Sequence, residues 1–183
     1  MKPWAVLLIL FSWLQSSAQT DSDYTSLLNS TQEVNIADSV CLNADPIKPI
    51  KLDSTTVKKW FASVLPGVTT NRLKNRSYYL AGKITSNTDF DLLVLMEEKR
   101  KSDSSNVQVV YLVSTRKDGK YIASLEVAVA GVRKKSNYNT SSWLYNDYKI
   151  VLNSKFVLNE KPYDDITYYK INKGGRFILS PNY

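Results

Sequence analysis

Apolar positions cluster most densely around one Asp-Gly pair. Val107, Val109, Tyr111 and Val113 would point one way along a strand, and Val110 and Leu112 the other. After Arg116-Lys117-Asp118-Gly119-Lys120, the run from Tyr121 to Ala130 is again apolar on both alternating faces. Strands covered on both sides read this way, whereas half-exposed strands alternate cleanly. Asp-Gly supplies the positive φ angles of a tight turn. The pattern predicts a hairpin over 107–130 at the centre of a sheet.

Shorter strand signals flank it. They cover 77–85, 91–98 and 142–152, with a short piece near 156–158. A closing hairpin is predicted from 166–172 and 176–179 across Lys173-Gly174-Gly175. Asp164-Asp165, after Pro162, reads as a turn leading into that hairpin. One segment has helical periodicity. Val57, Trp60, Phe61, Val64 and Leu65 form an apolar face, Asp53 or Ser54 can cap the start, and Pro66-Gly67 stops the run. The helix is therefore predicted over 53–65, with Trp60 and Phe61 covering one face of the sheet.

The expected fold is mainly β (α+β): an antiparallel meander sheet or sandwich with one amphipathic helix near the N-terminus packed on it. Residues 53–183 form a single domain in this reading. Residues 19–52 are polar and irregular, with Pro46 and Pro49 close together.

Met1 to Ala18 has the pattern of a secretory leader. Lys2 precedes an apolar run from Trp4 to Leu14, and Ser16-Ser17-Ala18 supplies small residues for a cut before Gln19. The run is too short for a membrane span of about 20 residues. No cysteine stands at the cut, so no lipid anchor is expected. The reading is a periplasmic or secreted protein with no membrane span after cleavage.

The leader ending Ser16-Ser17-Ala18-Gln19-Thr20 resembles that of exported Bacteroidetes proteins. The segments Thr167-Tyr168-Tyr169-Lys170-Ile171 and Lys173-Gly174-Gly175-Arg176-Phe177 resemble the closing hairpin of small exported Bacteroidetes proteins of unknown function. Asp38-Ser39-Val40 and Asp53-Ser54-Thr55 are similar to O-glycosylation acceptors of that group, which implies Ser39 and Ser54 as modification sites. The resemblance brings no activity with it.

Composition narrows the chemistry. The chain has no histidine and one cysteine, Cys41. Histidine-based nucleophile systems are excluded, and so is an intramolecular disulfide. No metal site or cofactor is expected. An acid/base enzyme would need carboxylates: Asp89, Asp91 and Glu97 share strand parity, the minimum for a glycan hydrolase. The simpler reading of the three is a solvated strand start and a charged strand end, so no catalytic residue is assigned.

Binding chemistry is the stronger expectation. Trp143 and Tyr145 share one strand face, with Tyr148 on the other, and flat rings of this kind can stack on sugars. The net charge is +7. In a simple meander, Lys99-Arg100-Lys101 and Arg133-Lys134-Lys135 emerge side by side at one sheet end and concentrate a positive potential there. These observations predict an exported, non-catalytic binding module of the cell envelope. Its partner would be an acidic envelope glycan, a lipid head group or an acidic protein, with nucleic acid unexpected in that compartment. A small carboxylate-dependent glycan hydrolase and a structural envelope component are the alternatives.

Overall fold

Alternation of apolar residues builds a ten-stranded antiparallel sheet. The computed structural model describes residues 23–44, 49–64, 76–84, 89–102, 105–133 and 136–181. A short helix, α1, covers residues 23–30. Strands β1 (Ser39–Leu42) and β2 (Ile50–Leu52) follow, then helix α2 (Ser54–Trp60). The meander consists of β3 (Arg76–Ile84), β4 (Phe90–Ser102), β5 (Ser105–Arg116), β6 (Tyr121–Arg133), β7 (Ser136–Tyr145), β8 (Lys149–Leu158), β9 (Lys161–Ile171) and β10 (Phe177–Leu179). Its neighbours run in chain order from β2 to β10, and β1 joins separately on β7.

The 107–130 hairpin is central, as its two apolar faces predict. Tyr111 and Val113 belong to one core with Leu93, Leu95, Val57 and Phe61. Val110 and Leu112 belong to a second core with Leu92, Ala128, Leu144, Ile150 and Ile171. The molecule is therefore layered. Helices cover one face of β3–β6, and strands β7–β9 cover the other.

A parting of β6 and β7 makes this layering possible. They pair only from Val129↔Thr140 to Arg133↔Ser136. Past that point β7 takes β1 as its neighbour, with Cys41 opposite Trp143 and Ser39 opposite Tyr145. The departing strands swing across the second core. A side chain at Gly175, in the β9–β10 turn, would meet Ser114, Ile122 and Phe90, so this turn lies directly on β4–β6.

Several elements differ from the sequence reading. The predicted strand 142–152 is the meeting of two strands around an Asn146-Asp147-Tyr148 turn, with Tyr148 at φ 65. Tyr148 lies in that turn with its ring 6.0 Å from Phe90, so it does not take the opposite strand face from Trp143. Asp164 and Asp165 lie inside β9, because the true turn is Asn159-Glu160, both at positive φ as a tight hairpin requires. Helix α2 ends at Trp60, and the chain turns through Val64. Within it Phe61 is fully buried and Trp60 half-buried.

The stretch read as irregular contains α1, β1 and β2. Tyr24 explains why α1 docks. Its ring is buried 5.2 Å from that of Trp60, and its hydroxyl lies 2.5 Å from Thr115 Oγ1. The segment read as a leader, residues 1–18, lies outside the described residues.

Candidate functional site

Strand β7 alternates between the core and an outer face. Ser142 and Leu144 are buried, while Trp143 and Tyr145 are 45% and 37% exposed. The register extends this outer face across the sheet. Trp143 lies opposite Val151, and Val151 opposite Tyr168. One row further, Ser141 lies opposite Asn153, which lies opposite Ile166 at 51% exposure. Next comes Asn139, opposite Lys155, opposite Asp164. Rings therefore occupy one end of this surface, and amides with a loosely paired Lys155–Asp164 (3.9 Å) occupy the other.

The polar end is concave. A cleft of about 480 Å³ is lined by Asn137, Asn139, Lys155, Tyr163 and Asp164, among others. Tyr163 stacks on Phe156 at 5.0 Å, which holds the hairpin wall of the cleft. Asn153 Oδ1, between the two ends, is covered and accepts no hydrogen bond among the described residues. Such an acceptor costs about 1–3 kcal/mol while it stays unmet.

The backbone ends of β4 and β6 lie at the same end of the sheet. Ser102 pairs with Ser105, Ser105 with Arg133, and Arg133 with Ser136. The strand ends carrying Lys99, Arg100 and Lys101 are thus one strand away from Arg133, at a spacing of about 10 Å. Lys134 and Lys135 lie outside the described residues. Lys99 is committed elsewhere, since its Nζ donates to Glu97 Oε2 at 3.1 Å. Arg133, the last residue of β6, pairs with Ser136 at the start of β7, so its backbone lies next to Asn137 at the polar end.

Glu97 is the feature that sequence reasoning undervalued. The parity argument places it on the helix-covered face, and there it is 1% exposed. Arg76 pairs with it, and the hydroxyls of Tyr78 and Tyr111 each donate to it at 3.3 Å. Burial, and after it the Glu97 charge, pushes the Tyr78 phenol up to about 12 and raises Tyr111 as well. Both phenols keep their protons at neutral pH and serve as donors. Asp91 lies six residues back along β4, about 20 Å away, and is bound to Lys117 at 2.5 Å. Carboxylates of a glycoside hydrolase stand about 5–9.5 Å apart, so Asp91 and Glu97 do not form such a pair. Cys41 is free and exposed in β1.

Among the described residues no group of acidic, cysteine or histidine side chains is arranged to hold a metal ion, and no helix is long and apolar enough to cross a membrane. Comparison with known proteins finds no family model, no curated protein and no solved structure that this chain matches.

Proposed function

We propose that this chain is an exported, non-catalytic binding module of the cell envelope, and that its outer β7–β9 face takes an acidic glycan. The observation that carries this reading is the exposure of Trp143 and Tyr145 side by side, in register with Val151 and Tyr168. Aromatic planes cover the C–H faces of sugar rings, and the amides of Asn137 and Asn139 in the adjoining cleft match sugar hydroxyls. Lys155, 3.9 Å from Asp164 and therefore only loosely paired, offers a cation to acidic substituents at the polar end. Export rests on the leader pattern of residues 1–18 and on its likeness to exported Bacteroidetes leaders.

Affinity electrophoresis of the leaderless protein in gels containing polygalacturonate, an acidic glycan, or dextran, a neutral one, tests the reading. Retardation is expected with polygalacturonate and should fall as salt rises, because exposed charges are screened over about 8–10 Å at physiological ionic strength. Trp143→Ala should weaken retardation by about three- to tenfold, the worth of one aromatic contact. Equal retardation of the wild type and the alanine variant would refute the aromatic face as the site.

A further inference from the structure

The parting of β6 from β7 leaves a strand edge inside the fold, and this edge is independent of the glycan face. β6 pairs with β5 over nearly its whole length, but with β7 only from Val129 onward. On the side that β7 has left, Tyr121–Ala128 makes no backbone hydrogen bond to another strand among the described residues. The β9–β10 turn touches Ile122, and β10 itself packs near β6, but neither pairs with it. In an antiparallel strand, alternate residues direct both N–H and C=O away from the neighbour they pair with. A row of such groups is a template for another extended backbone.

The edge has a defined register and a defined chemistry. Opposite Val110 and Tyr111 stand Ala128 and Glu126, so Val127 is an inserted bulge residue. Opposite Ser114 and Thr115 stand Ala123 and Tyr121, so Ile122 is a second one. Between these bulges Ala123-Ser124-Leu125-Glu126 is regular strand. Leu125 lies opposite Leu112 and is half-buried at the strand-side core. Ser124 and Glu126 lie opposite Val113 and Tyr111, on the helix side. Glu126 is exposed and is the only charge in the stretch, where strand edges are ordinarily guarded by lysine or proline. Lys99 acts on Glu126 but is held by Glu97.

We propose that the Ala123–Glu126 edge of β6 receives an extended segment of a partner polypeptide as an added strand. The main chain of the segment satisfies the free row. Its side chains alternate, an apolar residue beside Leu125 and a basic residue beside Glu126. Cross-strand opposite charges and apolar pairs of this kind select the sequence, while the backbone supplies the affinity.

The test uses the leaderless full chain with a synthetic peptide alternating valine and lysine, followed by fluorescence anisotropy and amide hydrogen exchange. Binding is expected, with slowed exchange confined to β6 residues 121–128. A peptide of the same sequence, N-methylated at alternate residues, loses one row of donors and should bind at least about tenfold more weakly. Glu126→Lys should weaken the lysine peptide and strengthen a valine–glutamate peptide, a reversal that misfolding would not produce. Equal binding of the methylated peptide, or protection elsewhere than 121–128, would overturn the proposal. So would protection that appears without peptide and grows with protein concentration, since the occupant would then be a second copy of this chain.

Discussion

Leu112 and Leu125 face each other across the central hairpin, yet their environments differ. Leu112 is fully buried between the strand layers, whereas Leu125 sits at the edge that β7 abandons. Leu112→Ala should cost about 2–5 kcal/mol in chemical denaturation. Leu125→Ala should cost less, about 1–2 kcal/mol, because Leu125 is only partly buried. A similar loss at both positions would mean that the β6 edge is covered. Glu97 shows the polar counterpart. Its carboxylate is enclosed, but the Arg76 and Lys99 side chains that pair with it are 22% and 36% exposed. Glu97→Ala should therefore cost about 2 kcal/mol, below the full price of breaking a buried pair.

Among the elements, α2 depends on the residue that caps its start, Asp53. Asp53 accepts from the backbone N–H of Thr56 and of Thr55, at 2.8 and 2.7 Å, and from the Thr56 hydroxyl. These bonds, Thr56 first, hold its carboxyl below the ordinary carboxylate range. A depressed folded pKa means that the cap contributes fully above the unfolded value. Its contribution is lost as pH falls through the folded value. Amide exchange in the first turn of α2 should accelerate in acid, and Asp53→Asn, a neutral cap of similar quality, should remove that pH dependence. The β5–β6 pairing depends on Gly131 in the same direct way. It has φ +124, and a Cβ there would fall 2.1 Å from the Asn106 carbonyl oxygen. Gly131→Ala should lower the melting temperature and loosen the end of β6 that still holds β7.

For the whole molecule, the two faces of the central strands are sealed by different layers, and buried tyrosines tie the helix layer down. Burial pushes the phenols of Tyr24 and Tyr78 up to about 12 and raises Tyr111 too. Raised folded values give stability that is complete below pH 10 and declines as pH climbs through them, since unfolded phenols ionise near 10. Spectrophotometric titration should show that Tyr24, Tyr78 and Tyr111 ionise only well above pH 10, as the fold opens. A single transition of all tyrosines near 10, with the fold intact, would place those three rings in water.

The sequence by itself determined the central hairpin, the antiparallel meander, a helix capped at Asp53 or Ser54, and the shared strand face of Trp143 and Tyr145. All are local: period-two alternation, turn residues and a capping side chain act within a few positions. The backbone approach of the two basic strand ends also followed, because a meander leaves only one neighbour for each strand. Tertiary structure decided what local pattern cannot encode. Asn146-Asp147 divided an apolar run that alternation alone would continue, and Tyr24 made a polar segment part of the core. Burial of Glu97 depended on Arg76, Tyr78 and Tyr111, drawn from two neighbouring strands. The free edge of β6 arose because β7 gained more by crossing to the second core than by continuing its pairing, a balance set by contacts among residues far apart in the chain.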